Sequence, residues 1–293
     1  MCIFRLLRVS NLCEHQTSAV FDQKLMVGWG EHKGVLDESG FRECSADADW
    51  GLNFLSVIAL LGFLVGAAKG GFSGLGALLV PLLSLVLPVA TAVGVLLPML
   101  MVGDAFAIYS YWREWDLKLL RRMLLPGALG ALAGTALLTL LAPTALRLVL
   151  AIFVLLLVGY KLLSDRLQQW RYTASPWHAP AAGALAGLAS GLFNNGGPPF
   201  NSYMLLLQLP PRVFIATATL FFALINIIKV PGFLYTGVLD VPRLLSLWWV
   251  FPCIPVGIVA ARLLVLRLNQ HWFERVVMAM LLSAASLLLW QSR

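Results

Sequence analysis

An all-α, polytopic membrane protein is the fold class this chain predicts, and three observations carry that expectation. Hydrophobic residues fill 60% of the 293 positions and charged ones only 12%, about half the roughly 25% that an ordinary soluble domain carries. Uncharged stretches recur at 50–68, 70–103, 123–146, 148–160, 179–211, 213–228, 244–261 and 276–292, most of them matching or approaching the roughly 17–25 residues of a spanning helix. Their Leu, Ala, Val and Gly content lacks strict alternation with period two, which favours helices over a membrane barrel; either structure satisfies its backbone polar groups internally, as lipid demands.

Residues 1–50 differ from the rest: polar, mixed in charge, and without the apolar core and small-residue cleavage site of a signal peptide. They are expected to form a disordered leader, with Met26 an alternative start. The membrane core then divides into 51–165, a connecting loop at 166–178, and 179–293. The formal charge of +7 does not point to nucleic acid, because the basic residues sit in short loops between apolar spans, as in cytoplasmic loops of membrane proteins. Cys2, Cys13, Cys44 and Cys253 form no C-x-x-C pair, and His178 and His271 have no partner at ligand spacing, so neither a metal nor another cofactor is expected. The apolar spans contain no histidine and one carboxylate, which argues against an intramembrane enzyme. No G-x-x-x-x-G-K-[ST] loop occurs, so any transport draws on a gradient or a partner. Trp50, Tyr109, Tyr111, Trp112, Trp115, Trp170, Tyr172, Trp177, Trp248 and Trp249 fall near span ends and read as interfacial anchors.

The two membrane segments read as a tandem duplication. Gly62-x-x-x-Gly66-x-x-x-Gly70-x-Phe72 recurs as Gly183-x-x-x-Gly187-x-x-x-Gly191-x-Phe193, an offset of 121 (183 − 62). Asp104 matches Asn226, Asp116 matches Asp240, Pro126 matches Pro252 and Arg147 matches Arg275, at offsets drifting from 122 to 128. Each half opens on a long apolar stretch broken by glycine and proline, residues 52–88 around Lys69-Gly-Gly-Phe-Ser-Gly-Leu-Gly76 and residues 180–209 around Asn194-Asn-Gly-Gly-Pro-Pro-Phe-Asn201. Glycine and proline are costly inside helices, so paired half-helices are expected there. Irregular backbone at membrane depth is tolerated only inside protein or beside water, and matched interruptions in two repeats point to a transporter's binding site. Three ordinary helices follow in each half, near 89–111, 123–141 and 144–162, then 212–235, 243–263 and 272–291. If each broken segment enters and leaves on one side, the repeats are inverted; if it crosses once, they are parallel. The loop charges favour inversion, because it gathers Arg113, Lys118, Arg121, Arg122, Lys161, Arg166, Arg171, Arg212, Arg262 and Arg267 on one side, opposite Arg147 and Arg243.

An anion site in lipid needs positive charge or oriented donors, and half-helix N-termini with glycine-exposed amides supply both. Gly70, Gly71, Gly74, Gly76, Gly196 and Gly197 are candidates for close backbone approach. Ser73, Asn194, Asn195 and Asn201 add neutral hydrogen-bonding groups, and Pro198 and Pro199 suit the first turn of a restarting helix. Gly62, Gly66, Gly183 and Gly187 read instead as helix-packing positions. Three charges interrupt apolar spans: Lys69, a candidate counter-charge for an anion; Lys229, a second candidate beside Asn226; and Asp104, which pairs with a lysine or exchanges a proton. The competing readings are snorkelling for the lysines and a structural ion pair for Asp104.

This motif set resembles the sulfite exporter TauE/SafE family of permeases. The resemblance rests on Gly66-Ala-Ala-Lys-Gly-Gly-Phe-Ser-Gly-Leu-Gly-Ala-Leu-Leu-Val-Pro81, its duplicate ending in Gly196-Gly-Pro-Pro199, Asp104 with Tyr111-Trp-Arg113, Pro126 through Gly134, and Asn226-x-x-Lys229 followed by Tyr235-Thr-Gly237 and Asp240. It spans about residues 52–291. It implies a secondary transporter, working by alternating access, for small sulfur-containing or organic anions such as sulfite, sulfoacetate and related sulfonates. The expected location is the bacterial inner membrane. A passive anion channel and a non-transporting membrane scaffold stay open as alternatives, as does a homo-oligomer. The chain departs from the family pattern in its long polar leader and in the Asn-Asn pair before the second Gly-Gly-Pro-Pro.

Overall fold

A chain dissolved in lipid pairs its main-chain donors and acceptors within itself, so helices form and end where glycine, proline or a polar cap interrupts them. The computed structural model describes residues 60–69, 73–85, 87–167, 175, 177–239, 250–265 and 270–291, and among them all regular structure is helical. Helices α1 (Leu60–Lys69) and α2 (Ser73–Leu83) flank the first interruption. Then come α3 (Val89–Ser110), α4 (Leu117–Leu140) and α5 (Pro143–Leu167). Helices α6 (His178–Phe193) and α7 (Gly197–Leu206) flank the second interruption, and α8 (Pro211–Tyr235), α9 (Cys253–Val265) and α10 (Gln270–Gln291) complete the described chain. The leader, Gly70, Gly71 and residues 240–249 lie outside the described residues. Helices α3, α4, α5 and α8 are each long and apolar enough to cross a membrane, which makes this a multi-pass membrane protein.

Helix α9 starts at Cys253, whereas the apolar pattern places a helix from 243, and residues 250–252 ahead of it are not α-helical; two other boundaries also differ. Helix α4 starts at Leu117, ahead of the expected 123, because the Asp116 carboxylate caps it, accepting from the backbone N–H of Lys118 at 2.9 Å and of Leu119 at 3.0 Å. Such a cap is worth about 1 kcal/mol. Lys118, Arg121 and Arg122 are therefore an exposed face of the first helical turns and not a loop. Helix α5 likewise runs through Lys161 and Arg166 to Leu167. Hydropathy marks where lipid lies, whereas helices continue into water as long as capping and propensity support them.

Small residues decide how the helices meet. A Cβ on Gly183, Gly187 or Gly191 of α6 would run into the backbone of Met123, Gly127 or Ala131 of α4, and one on Gly130 or Gly134 of α4 into the carbonyls of Ala184 or Leu188. The matched numbers rise together, so α4 and α6 run parallel with backbones in contact, as small-residue stripes allow. The same contact occurs a second time: a Cβ on Gly66 of α1 would strike the Ile254 carbonyl of α9, and one on Gly257 of α9 the Phe63 carbonyl of α1. Larger side chains fill the remaining interior in two apolar clusters, one built on α3, α5 and α10 around Leu97, Val154 and Leu288. The other surrounds Met123, Phe200 and Phe221, where the Phe200 ring lies 4.7 Å from Phe221 and 5.2 Å from Phe222.

The ends of the bundle follow from a few polar contacts. Arg212, at the start of α8, pairs with Glu114 at 3.1 Å, and Thr217 accepts from the Asp116 amide at 3.0 Å, so α8 begins beside the α3–α4 turn. Val238, past the end of α8, lies against Gly94 near the start of α3, which sets α3 and α8 antiparallel. Since α6 runs parallel to α4, and α7 ends at Leu206 shortly before α8 begins beside the α3–α4 turn, the α6–α7 pair starts and finishes at this same end. Helix α2 delivers the chain to the opposite end, where Pro88 opens α3.

Gly187→Ala is expected to lower the stability of the detergent-purified protein by about 1–3 kcal/mol, the usual cost of overpacking. Gly76→Ala, whose Cβ meets only open space, should cause no loss. Tryptophan-fluorescence melting of both variants checks the pair.

Candidate functional site

A carboxylate in an apolar helix has to find donors or lose its charge. Asp104, 1% exposed on the inner face of α3, finds two. One carboxylate oxygen takes an ion pair from the Lys69 ammonium at the end of α1, and the other accepts from Asn226 Nδ2 on α8 at 2.8 Å. Lys69, 23% exposed, uses Asp104 as its partner among the described residues and keeps donor capacity toward its open side.

Lys229 lies one turn beyond Asn226 on α8 and is 0% exposed. Its ammonium donates to the Ser190 carbonyl at 3.0 Å, the Ser190 hydroxyl at 3.1 Å and Asn194 Oδ1 at 2.7 Å, which accounts for all three of its N–H groups. The Phe233 ring adds an aromatic face, 5.9 Å from Nζ to centroid. Asn194 is the residue that ends α6. Its backbone adopts the left-handed conformation, φ 52, which asparagine tolerates better than most residues. Its amide nitrogen donates to the Val93 carbonyl of α3 at 2.8 Å, so one side chain ties the second break to α3 and to α8. The Asn194 and Asn195 main-chain amides close back on Ser190 and Ala189, at 2.9 and 3.3 Å. Burial disfavours the Lys229 charge, Asp104 attracts it and Lys69 repels it, so the three groups act on one another.

Beyond each break the chain restarts beside unfilled space. A Cβ on Gly76 of α2 meets nothing within 4 Å, and one on Gly197, the first residue of α7, approaches only Asn201 Nδ2, at 3.8 Å. These glycines match at the 121-residue offset (197 − 76). Bare backbone, two half-helix N-termini and a partly open ammonium are the elements from which an anion site in lipid is made.

The family model described as Sulfite exporter TauE/SafE matches residues 58–288. The chain belongs to the sulfite exporter TauE/SafE family. No curated protein and no solved structure matches it.

Within this TauE/SafE chain, Lys69, Asp104, Asn194, Asn226 and Lys229 come together as described, and neither lysine snorkels to an interface. Gly76, Gly197, the half-buried Asn201 and the half-buried Pro198 and Pro199 stand at the restarts. Ser73 and Gly74 are the first residues of α2, while Gly70 and Gly71 lie outside the described residues. Gly196 is placed differently from the expectation: a Cβ there would strike the Ala186 carbonyl and the Phe222 ring, so it serves packing at the turn. Asn195 is buried beside it. The two prolines also leave Gly197 as the one amide donor among the first three residues of α7, so this N-terminus offers fewer N–H groups than the motif alone suggests. Ser190 was not among the sequence candidates, yet it supplies two of the three acceptors of Lys229. The available signal was its position, which matches Lys69 at the 121-residue offset (190 − 69).

Asp104→Asn, which strands Lys69, is expected to cost about 2–4 kcal/mol, whereas Glu114→Gln at the exposed Arg212 pair should cost less than about 1 kcal/mol. Chemical unfolding in mixed micelles, with a double-mutant cycle on Lys69 and Asp104, measures the difference.

Proposed function

We propose that this TauE/SafE member is a secondary transporter of small anions, sulfite and small sulfonates first among them, in a cell inner membrane. The observation that carries the reading is the pairing of the two breaks. Each half-helix ending at a break, α1 or α6, has a lysine ammonium at its C-terminal end. Each helix restarting after it, α2 or α7, has a glycine with room for a side chain: a Cβ on Gly76 meets nothing within 4 Å and one on Gly197 only Asn201 Nδ2 at 3.8 Å. In this reading the anion lies between the restarts, held by Lys69, by the α2 N-terminus from Ser73 and Gly74, and by Gly197 with Asn201. The family's description adds sulfite as the solute class.

The two halves are read as inverted repeats, each a re-entrant segment plus three helices. Three facts support this. Asp104 and Asn226, matched by sequence, bond each other, as residues beside a two-fold axis do. The Gly66–Ile254 and Gly187–Gly127 contacts recur at offsets of 121 (187 − 66) and 127 (254 − 127), so each half lays its broken segment on a helix of the other half. The α6–α7 pair returns to the end where it entered, the end that carries the exposed Arg113, Lys118, Arg121, Arg122 and Arg212 and is assigned to the cytoplasm. Alternating access then consists of one half rocking against the other about the Asp104–Asn226 contact. Asp104 is the candidate proton carrier, because protonating it would release Lys69.

Uptake of labelled sulfite and of one sulfonate into proteoliposomes, with and without a pH gradient, tests the reading. Saturable flux is expected, falling at least about tenfold, the equivalent of about 1.4 kcal/mol, in Lys69→Met and losing its response to the gradient in Asp104→Asn. Non-saturable flux would indicate a channel, and the absence of flux for either solute would withdraw the sulfur-anion assignment.

A further inference from the structure

Lys229 is formally a substrate-site lysine, yet its geometry describes a different task. A lysine that binds an anion keeps at least one N–H turned toward it. Here all three go to protein oxygens, two from Ser190 and one from Asn194, and the side chain has no exposed surface. Those oxygens sit at the C-terminal end of the half-helix α6, where the helix dipole places about half a negative charge, and the Ser190 carbonyl belongs to its last turn. The Phe233 ring adds an aromatic face to this cradle. Thr135 packs against Gly191 and Gly232, the neighbours of this cradle, and its buried hydroxyl has no partner among the described residues. In transporters built on broken helices, half-helix C-terminal ends and unwound carbonyls are where coupling cations bind.

We propose that the Ser190–Asn194 end of α6 is a monovalent-cation site and that the Lys229 ammonium fills it as a tethered cation, making a bound sodium or ammonium ion unnecessary. The matched position in the first half is Ala107 (229 − 122); there the ammonium comes from the break itself, through Lys69. A coupling role rests on the transport reading; the cation site does not, since it is defined by oxygens and charge alone. Lys229 is accordingly a positioning residue: it holds the α6 break in place, and the anion meets Lys69.

The test is thermal unfolding of the full-length protein in detergent at constant ionic strength, in choline, sodium or ammonium chloride. Wild type is expected to melt at one temperature in all three salts. Lys229→Ala should melt lower in choline and recover saturably by about 3 °C or more in sodium or ammonium. Lys229→Met, whose side chain fills the space, should show no recovery. Adding Asn194→Asp to Lys229→Ala should lower the half-saturating cation concentration. Folded Lys229→Ala obtained only from sodium- or ammonium-containing buffer would count equally for the site. A variant indifferent to the cation, one that folds in no salt, or a wild type with the same saturable response would overturn the proposal. Because no anion is added, this result is independent of whether sulfite is transported.

Discussion

The break at Asn194 lies inside a bundle whose solvent is lipid, where an unpaired backbone amide or carbonyl costs several kcal/mol. The rest of the architecture depends on how that demand is met. At the second break the Asn194 and Asn195 amides return to the last turn of α6, the Asn194 side chain reaches the Val93 carbonyl, and Lys229 takes the Ser190 carbonyl. Helix α6 can end at that depth only because α3 and α8 stand close enough to receive it. That closeness depends on the glycine stripes, which bring α4 and α6 into backbone contact and leave no room for side chains between them.

The charges are part of the same solution. Asp104 is tolerated because Lys69 and Asn226 take both of its oxygens, and Lys229 because three oxygens at the end of a helix dipole surround it. A buried ion pair is weak evidence of stability in general. Here it joins three separate elements, α1, α3 and α8, so breaking it frees the end of the first half-helix as well as exposing a charge.

Much of this was legible in the residues. The apolar runs and the interruption at Asn194 follow from period and composition, because lipid imposes helix length and glycine and proline mark where helices fail. The split between packing glycines and site glycines was also readable in part: Gly62, Gly66, Gly183 and Gly187 face neighbouring helices as their spacing implies. The start of α4 is not visible in hydropathy because an aspartate cap begins that helix. Gly196 was assigned to the site because a glycine that avoids a clash looks the same in sequence as one that admits a ligand.

By itself, the sequence determined the membrane class and the three charges within apolar runs, since each rests on local composition. The tertiary structure decided which charge meets which. Lys69, Asp104, Asn194, Asn226 and Lys229 are separated by as many as 160 positions (229 − 69), and no spacing rule relates them. Only the crossing of α1, α3, α6 and α8 gives one lysine a carboxylate and an open side, and gives the other a closed cradle of oxygens. Partner choice is a property of helix packing, and packing at this distance is set by backbone contacts between glycines far apart in the chain.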